Sequence, residues 1–348
     1  MAPRLYLTLS GLLVALIVFV PSVKACSLIG VSERLQAGCI VKKFNDQTAT
    51  QQDFASIVSL SKKIGISLGG GETYPKYWYR YDLSPYLAYD HNFNGGNPDK
   101  PLIINGYEFV GDERLLRQSA TSAGVWGGID TRLFWSPERF LELKVSGTKE
   151  YALGSGSTKS TSSASICSNN HIHAGLYADL CTQYDISRKQ LSDSKYQTTE
   201  ASIEYVVPLS GQNLASIRFS NQNIRTEGDS YTVLKIKPTL MVSPSAAAWI
   251  EGGWSSGGNL DDRLTLSDSF SFGLSGLINH RRASVSLSKS RNDGLAFFGT
   301  DVKQTITSLE LRTDFVGASH LVLGAASIAS NLTYYEDQVY SLRVESGF

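Results

Sequence analysis

The chain has 348 residues, 18% of them charged, and its 32 Lys and Arg balance its 32 Asp and Glu; ordinary globular proteins carry roughly 25% charge. A neutral balance without a basic stripe excludes a nucleic-acid partner of the usual electrostatic kind. A mean hydropathy of −0.12 is too polar for a helical membrane protein. Two classes stand: a secreted all-β protein, or a membrane barrel with a polar lumen.

Arg4 precedes an apolar run over Leu12–Val20, broken by Pro21 and followed by Val23-Lys24-Ala25. This is the layout of a secretory signal peptide and predicts cleavage after Ala25, the run being shorter than the roughly 20 residues a helical span needs. Four cysteines follow. Pairs Cys26–Cys39 and Cys167–Cys181 would close short local loops in an oxidising compartment. Lipidation of Cys26 is the alternative, with Lys24 a poor fit to the small residue a lipobox prefers at that place.

Residues 26–75 precede the strand-rich region. Asp53–Ile64 reads as a short helix and Gly69-Gly70-Gly71 as a hinge. The segment either folds into a lumen as a plug or stays periplasmic.

From Lys76 onward the period is two. Tyr77, Tyr79, Tyr81, Leu83 and Leu87 alternate with Trp78, Arg80, Asp82 and Ser84, and Leu309, Leu311 and Phe315 alternate with Glu310, Arg312 and Asp314. One face is apolar and the other carries Ser, Gly and charge. The periodic runs cover about 11–15 residues, above the 5–6 typical of globular sheets and suited to a tilted membrane crossing. Strands are expected at about 76–90, 121–135 and 139–153, with nine more in 197–348. The stretch 154–196 supplies two, one around Thr161–Cys167 and one over Ala174–Ile186, for an antiparallel up-and-down transmembrane β-barrel of 14 strands. Were 154–196 an external loop, the count would be 12. Short links, as at Ser136-Pro137-Glu138 and Ser243-Pro244-Ser245, alternate with longer ones at His91–Ala120, Tyr151–Ala164, Lys189–Tyr196, Gly257–Asp262 and Arg291–Asp301.

The chain ends at Phe348, with Tyr340, Leu342 and Val344 on the same face. This ending resembles the C-terminal signature of single-chain Gram-negative outer-membrane barrels. Ser346 departs from the hydrophobic residue usual at that place. The resemblance implies outer-membrane lipid as surroundings and the barrel-assembly machinery as the partner that reads the terminal aromatic. A second likeness lies in Ser84-Pro85-Tyr86-Leu87-Ala88-Tyr89-Asp90-His91-Asn92-Phe93-Asn94, which resembles the opening strand of surface lipoprotein assembly modifier barrels. Those have fourteen strands and help lipoproteins reach the cell surface, so the resemblance implies an exported protein or lipoprotein as partner. Their helical-repeat domain has no counterpart in residues 26–75.

Catalytic candidates are few, and no enzyme, cofactor or metal is expected. Gly253-Trp254-Ser255-Ser256-Gly257 has the spelling of a nucleophile elbow but no helix after it. Gly154-Ser155-Gly156-Ser157-Thr158-Lys159-Ser160 lacks the Gly that precedes the Lys of a phosphate loop. His171 and His173 share a strand face, but no further ligand completes a metal site.

The inward face is the richer signal. Arg80, Arg132, Lys144, Arg218, Lys235, Lys237, Arg282, Arg312 and Arg343 are balanced there by Asp82, Asp130, Glu142, Glu204, Glu251, Glu310, Asp314 and Glu345. Opposite signs often stand two apart on one strand. Two readings remain open: a salt-bridged wall that stabilises the barrel, or a water-filled channel for hydrophilic solutes with no preference for one sign. A third role, adhesive or structural, would lie in the external loops 91–120 and 154–170.

Overall fold

The structure, a computed structural model, describes residues 26, 28, 30–66, 75–96, 102–104, 107–109, 112–210, 213–226, 230–256, 264–278, 281–297, 300–315, 320–332 and 336–345. The signal-peptide span 1–25, the Gly69–Gly71 hinge, the loop 257–263 and the terminal Phe348 lie outside the described residues.

Two helices come first, α1 over Glu33–Asn45 and α2 over Gln51–Ile64. The strands follow: β1 Tyr77–Asp90, the short pair β2 Leu102–Ile104 and β3 Tyr107–Phe109, β4 Ala120–Ser136, β5 Arg139–Ala152, β6 Thr158–His173, β7 Leu176–Arg188 and β8 Asp193–Pro208. After them come β9 Leu214–Arg225, β10 Ser230–Ser243, β11 Ala246–Ser256, β12 Leu264–Ile278, β13 Arg281–Phe297, β14 Thr300–Asp314, β15 His320–Ser330 and β16 Asp337–Glu345. Apart from the β2–β3 hairpin, the strands form one closed antiparallel barrel of 14, each beside its neighbour in sequence, and β1 seals onto β16. Closure leaves no backbone edge unpaired.

Alternation dictates the two faces. Tyr77, Tyr79, Tyr81, Ile129, Leu133, Leu143, Leu180, Ile203, Phe219, Leu234, Phe270 and Leu342 are exposed on the outside. Ser84, Ser122, Arg132, Glu142, Ser202, Glu204, Ser216 and Thr239 are buried inside. At one end, the turn end, β4–β5, β6–β7 and β10–β11 are joined by two-residue turns. The other end, the loop end, carries residues 91–119 between β1 and β4.

Three of the longer connections expected from sequence are strand over half their length or more. β6 starts at Thr158, β8 at Asp193, and β13 and β14 run to Phe297 and from Thr300, so the barrel wall rises past the belt that the apolar pattern marks. Both cysteine pairs are bonded as expected, Cys26 to Cys39 and Cys167 to Cys181, the second joining opposed residues of β6 and β7.

Residues 26–66 lie inside the barrel at the turn end. Ser32 caps α1 by accepting a hydrogen bond from the Leu35 amide, and Thr50 and Asp53 form a reciprocal capping box on α2. Asp53 also takes the buried Lys43 ammonium from α1, pinning the two helices to each other. Burial alone would raise the Asp53 carboxyl, but hydrogen bonds from Lys43 and Thr50 outweigh it and hold it below the usual range. The helices bury Leu28, Leu35, Ile40, Ile57 and the Cys26–Cys39 bridge against inward Leu214, Met241, Ala247 and Leu277. Ala37 and Ile64 meet Phe134 and Phe140 on the opposite side. The segment sits in the lumen as a plug, touching the wall from Trp78 on β1 round to Leu277 on β12. Among the described residues no helix is long and apolar enough to cross a membrane.

Candidate functional site: the plugged lumen

Two adjacent residues at the N-terminus of α1 fasten the plug to two different stretches of wall. Glu33 reaches β4, where Arg132 Nη1 donates to its carboxylate at 2.7 Å, and Lys63 of α2 pairs with its other oxygen at 2.6 Å. Arg34 points toward β7 and β8, giving Asp179 a two-pronged contact at 2.6 and 2.8 Å and approaching Glu204 at 3.4 Å. A guanidinium presents its donors as a fork that matches a carboxylate, which makes this the stronger of the two fastenings. Arg34 also lies over the Tyr177 ring at 4.3 Å, and Tyr177 donates to Glu138 at 3.0 Å.

The Ser32 hydroxyl works in two directions. It caps α1 and donates to Glu204 at 2.8 Å. Lys42, at the other end of α1, donates to the Leu209 carbonyl in the β8–β9 turn at 2.7 Å.

Electrostatics favour the seated state. Burial would raise the Glu33 carboxyl, but Arg132 and Lys63 more than compensate and lower it from 4.5 to about 2. The Arg34 guanidinium loses hydration, yet Asp179 and Glu204 hold its charge above its ordinary range. A carboxylate in the first turn of a helix is further favoured by the helix dipole.

The sequence-derived lumen residues divide into groups. Arg132, Asp130, Glu142 and Lys144 form one cluster, with Arg132 to Glu142 at 2.6 Å, Lys144 to Glu142 at 2.7 Å and Arg132 to Asp130 at 3.7 Å. Arg132 also donates to the Lys63 carbonyl at 2.8 Å, so it belongs to the plug's seat rather than to an open pore wall. Glu204 and Arg218 join the Arg34 cluster, Arg218 bonding Glu200 at 3.0 Å. Arg80 pairs with Asp82 on β1 at 2.9 Å.

Away from these, Lys237 sits 5.6 Å from the Trp249 ring centre, while Lys235 and Glu251 follow the inward alternation of β10 and β11. On the wall beyond the plug's contacts, Arg282 pairs with Asp314 at 2.9 Å and His320 lies 2.9 Å from the same carboxylate. Glu310 and Arg312 stand on β14 opposite Ser286 and Ser284. Arg343 and Glu345 stand on β16 opposite Val322 and His320, their side chains outside the described residues. Tyr340 and Leu342 are exposed on the outer face, with Val344 at the next alternate position.

Between the plug and the wall a polar cavity of about 190 Å³ remains, bounded by Arg34, Arg132, Lys144, Tyr177, Asp179 and Glu204. At the loop end Asp90 gathers Lys159 at 2.9 Å and Lys189 at 3.6 Å. Just after β1 the chain is tied to the β7–β8 turn, Lys189 donating to the Asn92 carbonyl and the Leu191 amide to that of Asn94.

Sequence reasoning missed Glu33, Arg34, Lys63 and Asp179. The serine before Glu33, with Leu35, Cys39, Ile40 and Phe44 at helical spacing, was the available signal for α1. The other motifs hold no assembled chemistry. Gly253–Ser256 lies within β11, and Gly154–Ser157 form the β5–β6 turn. His171 packs on Tyr177 at 4.9 Å, and no group of three metal-type ligands occurs among the described residues.

No family model and no curated protein matches the chain. Solved structures do. It is similar to OccAB1 of Acinetobacter baumannii, with 7% identity and a TM-score of 0.41 over 78% of this chain and 96% of that one. OccK9 (OpdG) of Pseudomonas aeruginosa matches at 9% identity and 0.41 over 78% and 98%. OprD of the same organism matches at 11% and 0.39 over 78% and 95%.

Proposed function

We propose that this protein is an outer-membrane channel for small hydrophilic solutes whose lumen is gated by its own N-terminal plug. The apolar outer belt suits lipid, and the closed barrel satisfies its backbone there. The short-turn end, where the plug enters, is the periplasmic one in this reading.

One observation carries the gating: Glu33 and Arg34, neighbours in sequence, close the passage through ion pairs to β4 on one side and β7–β8 on the other. Polar fastenings of this kind exchange for water once an end is freed, and the apolar contacts of the helices with Leu214, Met241, Leu277, Phe134 and Phe140 must part with them. A mixed-charge wall lets either sign of solute pass.

The test is single-channel conductance in a planar bilayer, comparing the folded protein with the double variant Glu33→Gln, Arg34→Gln. The parent should open rarely, and the variant should open at least several-fold more often. A folded variant whose plug has become protease-accessible but whose bilayer stays silent would exclude a channel and turn attention to export or adhesion.

A further inference from the structure

The outside of the barrel is not uniformly suited to hydrocarbon. In the loop-end half of β5–β9 the outward positions carry Lys149, Arg188, Lys195 and Arg225 against one carboxylate, Asp193. On the opposite flank Arg291 meets Asp268 at 2.6 Å, and Lys289 stands outward two residues before it, opposite Phe270. One arc of the outer rim is therefore cationic.

Register gives the arc its centre. Lys149 on β5 faces Ser160 on β6, and Ser160 faces Arg188 on β7, so the three share one row across adjacent strands. The side-chain direction follows from alternation: Tyr151, two residues from Lys149, and Tyr184, four from Arg188, are exposed on the outer face. The Lys149 ammonium lies 5.6 Å from the Tyr151 ring centre. Lys149, Ser160 and Arg188 line a cavity of about 480 Å³, roofed by the β5–β6 and β7–β8 turns. Those turns are tied by the Ser157 hydroxyl donating to Gln190 at 2.9 Å.

Directly beneath comes the row Gly147, Ser162 and Ile186, and below it the outward positions of β5 and β6 turn apolar: Val145, Ala164 and Tyr184 share one row, and Leu143 and Ile166 stand in the next beside Thr182. A surface that is cationic at the rim and hydrocarbon-like beneath it matches a molecule built the same way. Lys, Arg and a hydroxyl converging on one cavity suit the oxygens of a phosphomonoester, which offers more acceptors and more charge than a carboxylate.

We infer that the outer face of β5–β7 binds the phosphorylated headgroup of an outer-leaflet lipid, held by Lys149, Ser160 and Arg188, with its acyl chains lying over the apolar rows below. A free phosphate would use the cavity but leave those rows unexplained. The inference rests on the membrane reading above, and it adds a site on the outside that the lumen does not need.

The experiment is native mass spectrometry of the folded barrel released from detergent. The probe is lipid A with both phosphates, beside the same lipid with its phosphates removed. The parent should retain the phosphorylated lipid and lose the other. Lys149→Gln with Arg188→Gln should cut retention roughly thirtyfold, from the usual contribution of a surface cation to anionic-lipid binding. Lys149→Arg with Arg188→Lys should keep it. Equal retention by parent and Gln variant, or retention indifferent to the phosphates, would overturn the inference. Arg188→Gln alone serves if the double variant fails to fold, with the same criteria. Bilayer conductance of the Gln variant should match the parent, so loss of the lipid site is separable from failure of the channel reading.

Discussion

Gly65 shows how much of the plug's seat depends on one backbone position. It ends α2 in the left-handed region, φ 75°, and its carbonyl accepts the Glu138 amide at the tip of the β4–β5 turn. A Cβ there would sit 2.7 Å from the Phe134 ring. Gly65→Ala should therefore weaken docking by roughly 1–2 kcal/mol, the cost of forcing an L side chain into that conformation. The check is limited proteolysis of the folded barrel, in which cleavage within residues 33–64 should become faster while the strands stay resistant. Which residues face inward was legible in the sequence, because a period of two leaves no freedom once one face is assigned. Their partners were not. Arg132 and Glu33 are 99 residues apart, Arg34 and Asp179 145, and alternation within a strand carries no information about an element lying in the lumen.

The two helices differ in how plainly they announce themselves. The capping pair Thr50 and Asp53 and the run that follows mark α2. α1 has a weaker signature because wall residues surround it, so it buries Lys43 as well as Leu35 and Ile40 and presents no clean polar face. Strand ends were misread as loops for a related reason. In 158–163 the residues of both faces are polar, and alternation fades where the wall no longer separates water from hydrocarbon.

As an element, α1 also carries the pH dependence. The Glu33 carboxyl is lowered in the seated state, so its contribution to docking is complete above its ordinary value of 4.5 and is lost as pH falls through about 2. Protease sensitivity of the plug should rise over that window. Glu33→Gln should remove that part of the pH response and leave the plug looser at neutral pH. A parent and variant with the same acid profile would assign the effect to other carboxylates.

At the scale of the whole molecule, fourteen strands enclose a space that the chain fills from within. The count of 14 follows from placing two strands in 154–196, and the topology agrees. Enclosure also bears on the Cys26–Cys39 bond, whose two residues are 1% and 2% exposed among Leu35, Ile40 and the inner wall. Thiol–disulfide exchange needs a thiolate to reach a sulfur atom. While the plug is seated none can, so the rate of reduction reports how often the plug leaves. Treated with a large excess of dithiothreitol, the folded parent should keep this bond far longer than the unfolded chain does, and Gly65→Ala should shorten its lifetime several-fold. The bridge is then a clock on the gate, read by mass shift without any current being measured.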